Sequence, residues 1–427
     1  MAKRVPLFFC ALLLLGPLWG CDRRPEADLV IRNVAVVDIA TGGVSPGRTI
    51  LIDEGRILRI ETGPTTTSAR AATDIDGTGL YAIPGLWDMH VHALWDSTVA
   101  RSFLPAFARV GITGIRDMGG TLAVLERVRS SSGSETLTWP RIIAAGPILD
   151  GPEPVDPSIS IALQTPAEAR QAVDRLAEAG VEFIKVYTLL PREAFLSVLE
   201  RAREVGLPVV GHVPAEVTVL EAVEAGLVGI EHLRDELEPM CHQTTPIVCA
   251  QLIERFVELG VHNTPTLVVL EAKSLEGYRS SPNAAAVPEI PEIVQESWNT
   301  AAATQSSRPG RYFETRRDIF AHEMDLVGRL NEAGAPILAG SDTGNPFIYP
   351  GLGLQRELTL LVEAGMTTRE ALASATLVPA AFLGLADSIG AIRTGHAADV
   401  VLLDGNPLED IANVSRVVAV ILRGRPL

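Results

Sequence analysis

The sequence alternates short apolar segments with amphipathic helical segments eight times between about residues 81 and 386, and this repeat limits the possible folds more than any other feature. A strand-then-helix repeat produces a parallel sheet, and eight successive units predict an α/β fold with a closed (β/α)8 barrel, the TIM-barrel architecture. An open, doubly wound sheet is the alternative, but no glycine-rich phosphate turn follows the first strand. The predicted strands are 83–89, 112–116, 142–147, 181–187, 208–212, 229–232, 266–270 and 336–341.

The two ends of the chain have a different pattern. Residues 28–61 consist of short, alternating apolar runs interrupted by turn residues, and a matching piece occurs at 398–424. Such runs predict strands and hairpins. We therefore expect the two ends to form one small β-sandwich, with residues 21–80 and 387–427 as its halves and residues 81–386 as the barrel.

The first residues resemble a bacterial export signal. Lys3 and Arg4 precede an apolar run over residues 5–18, which has the length of a signal-peptide core. The following Leu18-Trp19-Gly20-Cys21 resembles a lipoprotein processing site, which predicts a signal peptide over residues 1–20 and lipidation of Cys21. The protein would then be exported to the periplasm side of the cell envelope and contact a membrane only through this anchor; a plain signal peptide is the alternative.

Charge and cysteine content exclude some partners and suggest one crosslink. Without residues 1–20 the chain has 34 basic and 52 acidic residues, and such a surface repels phosphate backbones, so we expect no nucleic-acid partner. Outside the leader only Cys241 and Cys249 remain, and in an oxidising compartment they are predicted to form a disulfide. Two unpaired thiols are the alternative.

The predicted strands end in residues that can bind metal ions. His90 and His92 project from the same face of the first strand because side chains alternate along a strand. The ends of parallel barrel strands share one rim, so residues from distant strands converge there. Four of the eight histidines fall at these ends. Taken singly, a histidine could be a core residue and Asp342 a helix N-cap; together they predict a metal site of His90, His92, Lys185, His212, His232 and Asp342.

Lys185 is the unusual member of this set. It lies on the same strand face as Phe183 and Tyr187, in a segment that should be buried, where an unpaired ammonium is costly. A neutral amine that has reacted with carbon dioxide is a carbamate, whose two oxygens can bridge two metals. N6-carboxylation of Lys185 would supply such a group, and it is what the family resemblance described next implies.

The chain resembles the amidohydrolase superfamily, in the branch of imidazolonepropionase-like and Xaa-Pro-dipeptidase-like enzymes. The resemblance implies a (β/α)8 barrel, a split β-sandwich and a binuclear hydrolase in which His90, His92 and Asp342 bind one metal, His212 and His232 bind the other, and Lys185 bridges them. The motifs that carry the resemblance are Pro84-Gly-Leu-Trp-Asp-Met-His-Val-His92, Phe183-Ile-Lys-Val186, Gly211-His212, Glu231-His232, Gly340-Ser-Asp-Thr343 and Gly395-His-Ala-Ala-Asp-Val-Val-Leu-Leu-Asp404.

This resemblance predicts two divalent metal ions, zinc in the first instance, that activate a water for attack on a carbon–nitrogen bond. Asp342 is placed to take the proton of that water. From strand geometry alone, Tyr187 could direct its phenol at the developing oxyanion; a packed aromatic ring is the alternative. Two long segments, 233–247 and 271–310, are candidate lids, and Arg116 with Asp117 is expected to form a structural ion pair.

The expected substrates are small molecules of peptide-like chemistry: dipeptides, N-acyl amino acids or small cyclic amides. A lactonase, esterase or deaminase on the same barrel is an alternative enzyme, and a lipoprotein that binds ligands without catalysis is an alternative of another class. Homo-oligomers are compatible with the sequence.

Overall fold

The computed structural model describes residues 27–62, 71–131, 138–233, 241, 246–275 and 289–427. The predicted signal peptide, the lipidation at Cys21 and the central part of both candidate lids lie outside the described residues. Within the described part of the chain, no helix combines the length and the apolar character needed to cross a membrane.

Strands and helices alternate along the described chain. The strands are β1 Ala27–Asp38, β2 Gly43–Asp53, β3 Arg56–Thr62, β4 Ala71–Asp76, β5 Tyr81–Pro84, β6 Leu86–Val91, β7 Ile112–Asp117, β8 Arg141–Ala144, β9 Ile148–Asp150, β10 Ser160–Ala162, β11 Ile184–Val186, β12 Val209–Gly211, β13 Leu227–Glu231, β14 His262–Thr264, β15 Val400–Leu403, β16 Val417–Leu422 and β17 Arg425–Pro426. The helices are α1 Ser97–Arg109, α2 Leu122–Ser131, α3 Pro166–Glu178, α4 Arg192–Val205, α5 Val219–Ala225, α6 Pro246–Leu259, α7 Leu267–Ser274, α8 Glu292–Ser306, α9 Gly310–Glu332, α10 Leu352–Glu363, α11 Thr368–Ser374 and α12 Leu377–Phe382.

Local sequence determines where helices begin and end, as α3 illustrates. Thr165 and Glu168 form a reciprocal capping box, and Pro166 occupies the first turn, where its missing N–H costs nothing. Gly180, just past the helix, has φ 71°, a conformation that glycine adopts without strain. These residues therefore define both ends of α3.

The central strands are parallel and lie in two groups, β6-β7-β8 and β10-β9-β11-β12-β13-β14. The backbone of residues 336–343 connects them: Asn263 of β14 donates to Pro336 and accepts from Leu338, while the N–H of Met89 in β6 donates to Ala339. All residues of β6 and β7 are buried, as expected for strands covered on both faces. The chain therefore has a TIM-barrel-type α/β fold.

Two predicted strands differ from the structure. Residues 266–270 were expected as strand seven, but Leu267 begins helix α7, and the strand at this place is the shorter β14. Residues 336–341 were expected as strand eight, yet only Ile337 forms a β-bridge, with Asn263, although the neighbouring backbone bonds follow the predicted path. The apolar run Leu267-Val-Val-Leu270 forms a helix whose four residues are all buried, so the helix packs in the core on more than one face.

Strands from the two ends of the chain share one eight-stranded sheet, ordered β17-β16-β15-β5-β1-β2-β3 with β4 beside β1. β5 connects the two parts of this sheet, because it pairs with β1 from the N-terminal part of the chain and with β15 from the C-terminal part. The ends therefore combine as the sequence predicts. Their arrangement as a two-layered sandwich stays a prediction.

Candidate active site

Side chains from several strand ends surround one cavity of about 240 Å³. His90 belongs to β6 and His92 follows it, while His212 and His232 stand directly after β12 and β13. Lys185 is buried in β11, with Nζ 5.7 Å from the centroid of the Tyr187 ring. The predicted site residues that line the cavity are His90, His92, Tyr187, His212, His232 and Asp342.

Asp342 lies at the centre of the histidines. Its Oδ1 is 3.5 Å from Nε2 of both His90 and His92, and its Oδ2 is 3.9 Å from Nε2 of His232. The donor atoms of His90, His232 and Asp342 all lie within 4.8 Å of one another, which makes these three a candidate metal site. His212 adjoins them, since its ring centroid is 4.9 Å from that of His232.

Each of the four imidazoles is oriented through its Nδ1 atom. Nδ1 of His90 contacts Glu231 Oε2 at 2.8 Å, and Nδ1 of His92 contacts the carbonyl oxygen of Gly119 at 3.2 Å. Because both partners only accept, these Nδ1 atoms carry the proton and Nε2 keeps its lone pair. The other two rings contact hydroxyl groups. Thr188 Oγ1 lies 3.0 Å from His212 Nδ1, and Thr266 Oγ1 lies 2.6 Å from His232 Nδ1. Outer contacts of this kind are typical of histidines that bind metals.

The environment of His90 and His232 keeps both imidazoles neutral, which is the form that binds a metal ion. Burial lowers the pKa of His90 and of His232 well below the ordinary value. Both rings are therefore neutral at physiological pH, as a metal ligand requires. The set of imidazole nitrogens and a carboxylate fits a divalent cation such as zinc.

Three residues at the site have strained backbone conformations. His232, Thr266 and Asp342 have φ of 65°, 52° and 53°, in the left-handed region that non-glycine residues rarely adopt. Such residues cost about 1–3 kcal/mol each and persist only where the surroundings hold them. Here the Asp342 N–H donates to the carbonyl oxygen of His90 at 2.7 Å, and the His232 N–H donates to that of Thr264 at 2.9 Å. These hydrogen bonds hold the residues in conformations that lower the stability of the fold and orient their side chains.

Glu231 and Arg116 form a buried ion pair behind His90. Arg116 Nη2 donates to Glu231 Oε1 at 2.7 Å, while the other carboxylate oxygen binds His90. Arg116 Nε also donates to the carbonyl oxygen of Met89 at 2.6 Å. Both side chains are fully buried, so Arg116 compensates the charge of the carboxylate that orients His90.

The expected pairing of Arg116 with Asp117 is wrong. Neighbours on a strand point to opposite faces, so Arg116 reaches Glu231, and Asp117 Oδ2 accepts the N–H groups of Ala93 and Leu94 at 2.7 and 3.1 Å. Asp117 thereby holds the loop that follows His92. Burial raises its pKa to about 6 against the lowering effect of His92 and these bonds.

Tyr187 stands at the cavity wall. Its ring centroid is 4.0 Å from that of His212, with 36° between the planes. The residue follows β11 directly and its N–H donates to the carbonyl oxygen of Leu149 at 3.0 Å, which fixes the backbone. Both a packed ring and a group that contacts substrate are compatible with this position.

The structure describes the flanking parts of both candidate lids. Cys241 and Cys249 form the predicted disulfide, with Cα atoms 4.7 Å apart, and it ties residue 241 to α6. In the second segment, Trp298 of α8 donates from Nε1 to the carbonyl oxygen of Gly344 at 3.3 Å. Helix α8 therefore packs against the loop that follows Asp342.

Several site residues have no distinctive sequence pattern. In the sequence Glu231 is simply the neighbour of His232, and its bond to His90 depends on two strands that are far apart in the chain. Lys273 and Asn345 line the cavity from α7 and from the loop after Asp342. For Lys273 one signal exists: lysine is rare in this chain, where it occurs at residues 3, 185 and 273 only.

Comparison with known proteins places this site in a family. The model for the "Amidohydrolase family" matches residues 81–427. An imidazolonepropionase of Polaromonas sp. is 24% identical over 411 residues, covering 91% of each chain. An adenine deaminase of Chelativorans sp. is 25% identical over 391 residues, covering 89% of this chain and 55% of that one. The solved structure of a Xaa-Pro dipeptidase with bound methionine in its active site has a TM-score of 0.71 at 22% identity, covering 93% of this chain and 99% of that one.

Proposed function

Because the chain belongs to the amidohydrolase family and is an enzyme acting on carbon–nitrogen bonds, we propose that it is a metal-dependent hydrolase of peptide-like amides. The observation that carries this proposal is the ring of four imidazoles, each held through Nδ1, around the Asp342 carboxylate. The proposed scaffold is a complete (β/α)8 barrel over residues 81–386 with a β-sandwich built from both chain ends.

The proposed metal set is the one implied by the motifs. His90, His92 and Asp342 would hold one cation, His212 and His232 would hold a second, and Lys185 would contribute oxygen ligands after N6-carboxylation. Divalent cations in such a site lower the pKa of a bound water towards about 7 and polarise the substrate carbonyl. The neutral state of His90 and His232 supports this assignment, since their lone pairs are available.

The protein's own groups then move the proton and hold the substrate. Asp342 accepts the proton of the attacking water and passes it to the leaving nitrogen. Burial raises the pKa of the Asp342 carboxyl in the metal-free protein. Tyr187 donates its phenol hydrogen to the oxygen on which negative charge develops.

Replacing Tyr187 with phenylalanine should therefore lower kcat by about 10²-fold while KM changes little, because the hydrogen bond to the oxyanion strengthens only in the transition state. Steady-state kinetics on the metal-loaded enzyme measures this. Tyr312→Phe in α9 is the matched control and should behave as the wild type. An unchanged kcat for the Tyr187 variant would leave the ring a purely packing role.

The substrate class rests on the relatives. The imidazolonepropionase relative supports small cyclic amides, and the fold shared with a Xaa-Pro dipeptidase is compatible with dipeptides and N-acyl amino acids. Export, a lipid anchor at Cys21 and homo-oligomers remain part of this proposal. The adenine deaminase relative makes deamination the competing reaction.

Metal analysis combined with a substrate panel tests the proposal. The purified protein should contain about two equivalents of divalent metal and should lose activity after chelation and regain it with zinc. The panel pairs dipeptides, N-acyl amino acids and cyclic amides with lactones and adenine. Amide turnover supports the proposal; turnover of lactones alone or of adenine alone would replace it with one of the competing activities, and absence of metal would leave a binding protein.

A further inference from the structure

The start of helix α7 stands directly behind one of the proposed metal ligands. Thr266, the residue before the helix, is fully buried, and its hydroxyl oxygen lies 2.6 Å from Nδ1 of His232. Nε2 of the same ring faces the cavity, 3.9 Å from Asp342 Oδ2. A ring that binds a metal through Nε2 carries its proton on Nδ1, and the Thr266 oxygen then accepts that proton in a hydrogen bond. The position of this hydroxyl therefore sets the direction of the imidazole lone pair.

A threonine at this position usually caps its own helix. Thr165, Thr218 and Thr367 precede α3, α5 and α11 with extended backbones, and each hydroxyl accepts the N–H three residues further on at 3.2–3.3 Å. Thr266 instead has φ 52°, and within the described segment 246–275 its side chain bonds to none of the N–H groups of α7. The left-handed backbone thus turns the hydroxyl from the helix to His232, and the first N–H groups of α7 need another acceptor.

Glu357 of α10 is this acceptor. Its side chain is fully buried, and its Oε2 accepts the Val268 N–H at 2.8 Å. The preceding residue holds the same two helices together, because Arg356 forms a two-pronged ion pair with Glu271 of α7, with atoms 2.5 and 2.9 Å apart. A carboxyl group from a neighbouring helix therefore provides the cap that Thr266 does not provide, and it does so from a fixed position.

The Glu357 carboxyl caps the helix in its neutral form at pH 7. Burial raises the pKa of this group to about 8, against the lowering effect of the N–H groups of Val268 and Leu267. A protonated carboxyl keeps an oxygen that accepts hydrogen bonds, and so does the amide of glutamine. The cap therefore depends on the acceptor oxygen and not on a negative charge, which makes glutamine the conservative replacement.

We propose that Glu357 is a positioning residue for His232: it caps α7 in place of Thr266, and so keeps the Thr266 hydroxyl on Nδ1 and the Nε2 lone pair directed at the metal. This inference rests on the proposed function, in which His232 binds one of two cations. Glu357 lies outside the described lining of the cavity and acts through the first turn of α7 and one hydroxyl group.

The zinc affinity of the metal-depleted protein, measured by competition with a chromophoric chelator, tests the proposal. Glu357→Leu removes the acceptor and should weaken the binding of one zinc equivalent by about 10- to 100-fold, the usual cost of losing an outer contact to a histidine ligand. Glu357→Gln keeps the acceptor and should bind zinc as the wild type does. Should Glu357→Leu not fold, Glu357→Asp gives the same comparison, because the shorter side chain withdraws the oxygen from the Val268 N–H.

Two variants of Thr266 connect the effect to the hydroxyl group. Thr266→Val removes the hydroxyl and should cause the same loss of zinc affinity, whereas Thr266→Ser should keep the wild-type affinity. Because Glu357 and Thr266 act on one hydrogen bond, the double variant Glu357→Leu/Thr266→Val should bind zinc no more weakly than either single variant.

Glu168→Leu is the matched control, because Glu168 Oε2 accepts the N–H groups of Gln164 and Thr165 before α3, at 2.8 and 3.0 Å. This change should lower the melting temperature and leave the zinc affinity unchanged. If a folded Glu357 variant without the acceptor binds zinc as tightly as the wild type, or if the losses add in the double variant, the positioning role is refuted while the hydrolase remains. If the wild type itself binds no divalent metal, the proposed function fails and the inference fails with it.

Discussion

Replacing Asp342 with asparagine should lower kcat by about 10³-fold, because it removes the group that accepts the proton of the attacking water while keeping the size of the side chain. The position of the Asp342 carboxylate is the reason to expect so large a fall in kcat. Asp342 is the carboxylate whose oxygens lie 3.5–3.9 Å from Nε2 of three histidines, and no other described carboxylate lines the cavity. The measurement is kcat on the best substrate of the panel, with metal content determined on the same sample.

Asp325→Asn in α9 is the control for this variant, since it makes the same chemical change on an exposed side chain whose Arg329 partner is 3.8 Å away. Its kcat should equal that of the wild type. A metal-loaded Asp342→Asn enzyme that keeps more than about a tenth of the wild-type kcat would show that another group accepts the proton. Thermal melting of both variants verifies that they fold.

The second large effect concerns stability. Replacing Arg116 with methionine should lower the free energy of unfolding by about 3–5 kcal/mol, because the Glu231 carboxylate is then buried without its positive partner. Both side chains of this pair are fully buried, so water cannot take the place of the guanidinium. Urea denaturation of the metal-free protein measures the loss. Metal affinity should also fall, by about 10- to 100-fold, since the carboxylate orients His90.

A double-mutant cycle separates the interaction energy between Arg116 and Glu231 from the effect of replacing each residue alone. Glu231→Gln in the Arg116→Met background removes the unpaired charge, so the double variant should be more stable than the sum of the two single changes predicts. If the two effects simply add, Arg116 and Glu231 do not stabilise each other, and the account of how His90 is oriented would need a different basis.

The members of the site were predictable because of a rule of parallel barrels. Ligand residues stand where strands end, and parallel strands end on the same rim. His90, His92, His212 and His232 could therefore be assigned to one place from the sequence, and the structure brings them around one cavity. The ion pair behind them could not be assigned in this way, because Glu231 and Arg116 are 115 residues apart and both look like ordinary charged residues.

The error at strand seven has a physical cause. The run Leu267-Val-Val-Leu270 has the composition of a strand, yet it forms the first turn of α7, whose start is held by the Glu357 carboxyl. The actual strand contains Asn263 and Thr264, both buried, and Thr264 Oγ1 accepts a hydrogen bond from Arg116 of the ion pair at 3.2 Å. Tertiary contacts outweigh local strand propensity here.

The sequence by itself determined the class of fold, the family and the identity of the candidate metal ligands, since apolar periodicity and the residues at strand ends are local properties that can be read along the chain. The tertiary structure alone decided how the ligands are aimed, which buried charge compensates which, and that Lys273 enters the cavity. These depend on distances between segments far apart in the chain, and side-chain direction at a few ångströms is the outcome of packing rather than of any local pattern.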